Sequence, residues 1–144
     1  MKIGIVGSRR VDEQVKIEIL RHIPEGTTEI VSGGADGVDT YASELAELLH
    51  IPLKVFLPDY EKYGKKAPLM RNLDIIRYAD EILAFWDGHS AGTRHVISAC
   101  LKEEKSVHLI PIKESGRVET GGFDAGKFEK HGVFSVKMPK IIKF

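Results

Sequence analysis

The sequence predicts an α/β fold: a doubly wound domain with a mainly parallel sheet of about five strands, then an irregular or β-containing C-terminal tail. Three observations predict it. Short β-branched runs alternate with amphipathic helical stripes up to about residue 112, the pattern of a parallel sheet joined by crossover helices. Several of those runs end on glycine, where a strand buried on both faces gives way to a tight turn. From about Lys113 the stripes stop, and glycine and lysine become frequent.

"KIGIVGS", Lys2 to Ser8, reads as the first strand. Val15, Ile19 and Ile23 then recur at helical spacing from about Asp12, and Pro24-Glu25-Gly26 stops that helix. "TEIVSGG" is a second strand, and Tyr41, Ala42, Leu45, Leu48 and Leu49 stripe one face of the helix after it. "IPLKVFLP" gives a strand bounded by prolines, "YGKKAP" an exposed loop, and "APLMRNLDIIRYAD" a helix with Leu69, Leu73 and Ile76 on one face. "EILAFWD" is a further strand, Val96, Ile97, Cys100 and Leu101 mark another helix, and "SVHLIPI" supplies about a fifth strand. In the tail Phe134, Val136 and Met138 alternate. "VFSVKM" is therefore either an edge strand, an arm pairing with another subunit, or part of a tail packed on its own domain. Residues 1–112 form one binding domain in this reading, and 113–144 an appendage to it.

A chain of 144 residues is one domain's length and buries a core without disulfides. Lysine plus arginine number 21 and aspartate plus glutamate 21, so no global field draws polyanions. A nucleic-acid role requires a local basic patch. Cys100 is the single cysteine, and "MKIGIVGSRR" holds too short an apolar run for a signal peptide or a membrane span. A cytoplasmic protein without a membrane role is the economical expectation.

In open α/β sheets the ligand lies beyond the carboxyl ends of the strands. Three loops there carry suitable chemistry. In "GSRR", Gly7 allows close backbone approach, Ser8 can hydrogen-bond, and Arg9 or Arg10 can grip phosphate oxygens bidentately; exposed surface arginines are the ordinary alternative. In "SGGADGVD", Ser32, Gly33, Gly34 and Ala35 lead into a helix whose positive end can face an anion. Asp36 as the helix cap with Asp39 as its acidic partner competes for the same amides. A carboxylate there repels phosphate, so Asp36 and Asp39 bind ribose hydroxyls or a base edge, or only cap. In "DGHSAGTRHV", Asp87, Gly88 and Gly92 form another strand-to-helix passage. Ser90 or Thr93 caps the helix, or coordinates a phosphate beside Arg94. Two glycine-rich helix starts on one sheet edge make a phosphate-bearing ligand the sharp hypothesis.

Other motifs are weaker. "GGFDAGKF" satisfies G-x-x-x-x-G-K at Gly121, Gly126 and Lys127, but Phe128 replaces the hydroxyl residue that meets magnesium and no buried strand precedes it. The six histidines and one cysteine show no metal spacing, and no cofactor is expected. His95 is the histidine to watch as an acid–base group. Trp86, at a strand's end, reads as core or as the wall of a base site.

Taken together, "GIVGSRR", "SGGADGVDTYASELA" and "MRNLDIIRYADEILAFWDGHSAGT" resemble the SLOG superfamily of Rossmann-like nucleotide-binding domains, on its YspA-like and DprA-like side, over roughly Lys2 to Ile112. The resemblance implies that Ser8 with Arg9, Gly33 with Gly34, and Gly92 with Thr93 line a nucleotide or phosphate site. Arg71, with Met70 and Asn72 beside it, falls where the Lonely-Guy phosphoribohydrolases of the superfamily have an arginine helping their reaction. Their P-G-G-x-G-T-x-x-E pattern is matched by "DGHSAGTRHV", with Val96 at the glutamate's place. Breaking an N-glycosidic bond needs a carboxylate beside an oxocarbenium-like state, which valine cannot provide. Asp36, Asp39 and Asp87 are the candidate substitutes, with Arg71 on phosphate.

Three functions follow as expectations. The leading one is a small nucleotide-binding or nucleotide-derivative-binding protein, acting as a ligand sensor and, by the resemblance, a homo-oligomer. The second is a nucleoside-monophosphate phosphoribohydrolase. The third is single-stranded DNA binding through Arg9, Arg10, Lys65, Lys66 and Arg71, against which the neutral net charge argues.

Overall fold

A computed structural model of the chain describes residues 1–113. The readings of "VFSVKM", of "GGFDAGKF" and of the tail as an appendage lie outside the described residues. Within them, five strands form one all-parallel sheet: β1 (Lys2–Gly7), β2 (Glu29–Ser32), β3 (Leu53–Val55), β4 (Glu81–Trp86) and β5 (Val107–Pro111), in the order β3-β2-β1-β4-β5. The helices are α1 (Gln14–His22), α2 (Val38–Leu48), α3 (Tyr60–Tyr63), α4 (Ala67–Tyr78) and α5 (Ala91–Lys102), with a 3₁₀ turn at Gly64–Lys66. This is the doubly wound α/β fold that the alternation predicts.

The two-sided sheet explains the continuous apolar runs. Along β1 and β2 successive side chains point to opposite faces, so Ile3, Ile5 and Ile30 join α1 and α2 through Val15, Ile19, Ala42 and Leu45. Val6 and Val31 face the other way, toward α4 and α5, with Ile75, Ile76, Val96 and Ile97. Phe85 is fully buried, and truncating it to alanine removes about 3–5 kcal/mol of stability by the usual cavity cost. Among the described residues no helix is long and apolar enough to cross a membrane.

Two helices are rotated from the stripes read in the sequence. On α2 the buried positions are Val38, Asp39, Ala42, Leu45 and Ala46, while Leu48 and Leu49 are exposed. On α4 they are Ala67, Arg71, Asn72, Ile75 and Ile76, and Leu69 is 42% exposed. The reason on α4 is polar: Arg71 and Asn72 find hydrogen-bond partners inward, so the helix turns them in and leaves Leu69 at the surface. The stretch read as the loop "YGKKAP" is also more structured, since α3 and the 3₁₀ turn lead into α4, whose first turn holds Pro68 where no donor is needed. Lys65 and Lys66 are exposed as expected.

The chain goes from β1 outward to β2 and β3, then crosses back to β4 and β5 on the other side of β1. The connections after β1 and β4 therefore leave toward opposite faces. This switch point opens a crevice beyond the carboxyl ends of the two strands.

Candidate functional site

A cavity of about 310 Å³ occupies that crevice. Its floor is the end of β1, Val6 and Gly7, with Arg9 beyond it. One wall is the second loop and α2, through Gly33, Ala35 and Asp39; another is α4, through Pro68, Leu69, Arg71, Asn72 and Ile75. The third is the start of α5, through Ser90, Ala91, Gly92, Thr93 and Val96. The three glycine-bearing loops and the arginine helix thus meet at one place.

The backbone around the cavity is stitched together. Ser8 donates its amide to Phe85 O (3.1 Å) and its hydroxyl accepts from Asp87 N (3.2 Å), which binds the first loop to the third. Asp87 turns its Oδ1 to the amides of His89 (2.7 Å) and Ser90 (2.9 Å), shaping the passage to α5. Ser8 and Asp87 are both buried and hold the loops from behind the cavity wall. Gly37 joins the first loop to the second: its φ is +78°, and a Cβ there would lie 2.5 Å from the carbonyl oxygens of Ser8 and Arg9. Val38 N donates to Ser8 O (3.1 Å) across the same contact.

The helix starts differ from the capping read in the sequence. Gly37, not Asp36, stands at the N-cap of α2 and has no side chain to cap with; Asp36 is exposed. Asp39 instead folds back, and its Oδ2 accepts from Ala35 N at 3.0 Å. Ser32 lies beneath, with its hydroxyl accepting from Gly34 N at 3.4 Å. At α5 the N-cap is Ser90, whose hydroxyl accepts from Thr93 N, a long bond of 3.5 Å, and also pairs with the Thr93 hydroxyl. The first-turn amides of Ala91 and Gly92 have no intrahelical partner, and both residues line the cavity.

Arg71 is 8% exposed. Its Nη1 donates to Gly33 O, with a longer approach to Phe56 O, and its Nε donates to Asn72 Oδ1 at 3.0 Å. Gly33 makes room for it: a Cβ there would sit 2.7 Å from Nη1 and 2.9 Å from Cζ. Burial lowers the Arg71 pKa and Asp39 opposes that shift, but a guanidinium stays charged in water at ordinary pH. Asp39 is also 8% exposed. Burial raises its pKa, against the pull of the Ala35 amide, Arg71, Gly33 and Arg9. The wall therefore carries two guanidinium groups, Arg9 and Arg71, against one carboxylate, a local positive excess in a chain of zero net charge.

Gly34, Gly88 and Arg94 flank the cavity without appearing on its wall. Arg94 lies over the Trp86 ring, 5.6 Å from its centroid. Of the two readings of Trp86, core or the wall of a base site, the first holds: it belongs to the α4/α5 core, with Nε1 donating to Ser90 O at 3.0 Å. Val96, at the position of the hydrolase glutamate, is buried on the wall. Sequence reasoning missed Gly37, Pro68 and Leu69 as parts of this neighbourhood, and His95, the histidine it singled out, lies behind the wall against Asn72. A glycine directly before a helix on a phosphate-type loop was the available signal for Gly37.

No family model matches the chain. In fold it is similar to the DNA processing protein A (DprA) of Streptococcus pneumoniae, with a TM-score of 0.71 and 18% identity, over 97% of this chain and 61% of that one. It is also similar to DprA of Helicobacter pylori, whose structure describes a single-stranded DNA binding mode, with a TM-score of 0.66 and 21% identity over 93% and 74%. The chain thus spans about three fifths of the length of the S. pneumoniae protein. In sequence it is 32% identical over 126 residues to the Gene 61 protein of Mycobacterium phage D29, covering 80% of this chain and 96% of the relative. On that likeness the chain belongs to the family of the phage Gene 61 protein.

Proposed function

We propose that the cavity binds a nucleotide or nucleotide derivative, with its phosphate at the first turn of α5 between Arg9 and Arg71, and that the protein is a ligand sensor of the SLOG type. The observation that carries this reading is the convergence of an open helix N-terminus and two guanidinium groups on one cavity. Helix N-termini and arginine forks are favourable anion partners. The volume lies at the low end of the ~300–1,000 Å³ typical of small-molecule sites, which suits a mononucleotide. Asp39, whose Oδ2 accepts from Ala35 N on the cavity wall, takes a ribose hydroxyl or a base edge in this reading. Leu69 on the wall, with Tyr60 and Leu57 exposed on the segment before α4, offers an apolar surface to a base.

A thermal-shift panel of nucleoside phosphates, nucleotide sugars and cyclic nucleotides tests the reading, since a ligand of the native state raises apparent stability by mass action. At least one member raises the midpoint of the wild type and not of Arg71→Met. No shift with any member, in folded protein, contradicts the proposal. Hydrolysis of such a ligand would rest on Asp39, the one carboxylate among the described residues on the wall. Chromatography for free base, compared between wild type and Asp39→Asn, reads that chemistry out.

A second reading is supported by the likeness to DprA: the same phosphate site takes one phosphate of a single strand of DNA, with Lys65 and Lys66 exposed ahead of α4 as flanking cations. Fluorescence anisotropy with a labelled oligonucleotide separates the two readings. Strand binding through several phosphates weakens steeply as salt rises, whereas a mononucleotide competes at one site with a shallow dependence.

A further inference from the structure

We infer that Asn72 and His95 form a strut between the α4 and α5 walls of the cavity, and that neutral His95 keeps Arg71 in its anion-binding orientation. The inference rests on the proposed anion role of Arg71; the strut itself rests on hydrogen-bond chemistry. Arg71 Nε lies 3.0 Å from the Asn72 side chain and can only donate, so the atom facing it must be the oxygen Oδ1. The other end of that amide is then NH₂, and it lies 3.2 Å from His95 Nδ1. An NH₂ group needs an acceptor, so Nδ1 carries a lone pair and the ring proton sits on Nε2. One buried amide therefore fixes three things: its own orientation, the tautomer of a histidine on α5, and the direction of a guanidinium on α4.

The arrangement fails when His95 gains a proton. Imidazolium presents N–H at Nδ1, donor against donor, and the amide can relieve this only by flipping. A flipped amide turns NH₂ on the Arg71 Nε–H. One oxygen cannot serve both cations. The charges around the ring agree with a neutral state: Lys102 on the same helix adds a like charge, and α4 presents Asn72 with the Arg71 guanidinium behind it. Burial, then Lys102, lowers the His95 pKa from its ordinary value.

The consequence has an unusual sign. A histidine that touched an anion would strengthen binding on protonation. His95, acting through Asn72, weakens it, because acid removes the support of Arg71. His95 is a positioning residue in this account. His95→Gln offers an acceptor that does not titrate.

Two measurements test it. In ¹⁵N-labelled protein without ligand, the His95 imidazole at pH 7.5 shows the neutral form protonated at Nε2; an Nδ1-protonated ring or an imidazolium overturns the strut. Calorimetric titration with a nucleoside 5′-monophosphate from pH 8 down to pH 5 follows the consequence. The phosphate's own titration is common to wild type and His95→Gln and cancels in their ratio. Wild type loses more affinity than His95→Gln as pH falls, by up to about fivefold once its His95 ring is protonated, the effect of one hydrogen bond. An equal loss at a pH where the ¹⁵N signals show His95 protonated, or a gain by the wild type, overturns the role of His95. Absence of binding by both proteins at pH 8 contradicts the proposed anion role of Arg71, and the tautomer then decides the strut.

Discussion

The starts of α2 and α5 look alike in the sequence and differ in what they do with their glycines. Both follow a buried strand, and both mix small residues with an aspartate and a hydroxyl residue. At α2 the space is filled by the protein itself: Gly37 lets the backbone of Ser8 and Arg9 come within contact distance, and Asp39 takes the Ala35 amide. At α5 a Cβ on Gly92 would meet nothing within 4 Å, and the first-turn amides open on the cavity. One glycine turn closes the fold and the other leaves room for a ligand. A glycine-rich helix start is therefore a question about what approaches the backbone, and the approaching group can be another loop.

The largest effect that would break this contrast is at Gly37. Gly37→Ala forces a positive φ on a residue with a side chain and drives its Cβ into two carbonyl oxygens; it loses about 3 kcal/mol or more in urea unfolding. A loss below about 1 kcal/mol would mean the two loops part easily. Arg71→Met comes next, weakening nucleotide binding by about 10- to 100-fold as a charge-assisted contact is lost, with lysine a poor rescue because it cannot span Gly33 O and Asn72 Oδ1 as a fork. Ser90→Ala removes the α5 cap and lowers stability by about 1 kcal/mol.

Gly92→Ala separates stability from binding. Alanine suits the helix and meets no neighbour, so thermal stability stays level or rises by about 0.5 kcal/mol, while the new methyl narrows the cavity and weakens the ligand. The same exchange at Gly37 reverses the order, with stability failing first. The smallest effect is a pH slope at Asp39. Its folded pKa is raised above the unfolded value of about 3.9. The stability this raised pKa contributes is full below the unfolded value and is lost as pH rises through the folded pKa. Asp39→Asn removes that falling component, and unfolding curves collected between pH 4 and 7 show the difference.

Much of the fold was legible because apolar periodicity reports strands and helices directly. The sheet order could not be read that way: the alternation required crossovers, but β4 is as fully buried as the central β1, so burial on both faces does not single out the middle strand. The failures share a cause. A stripe drawn through apolar residues places Leu69 inside α4, whereas Arg71 and Asn72 are inside because Gly33, 38 residues earlier, and His95, 23 residues later, receive them. Local pattern carries no record of such distant partners. Asp36 reads as a cap from its type alone, and only the left-handed Gly37 after it shows that the helix begins one residue later without a side-chain cap. Trp86, by contrast, follows its first reading, since the core and the Ser90 carbonyl claim its two ends.

The most direct test of the contrast is a ¹H–¹⁵N titration of the folded protein with a nucleoside 5′-monophosphate, following the backbone amides of both helix starts. The account predicts that Ala91 and Gly92 move progressively and saturate, while Gly37, which is off the cavity wall, stays nearly still. Saturating shifts confined to Ala35 and Gly37, or none at either helix, would contradict it.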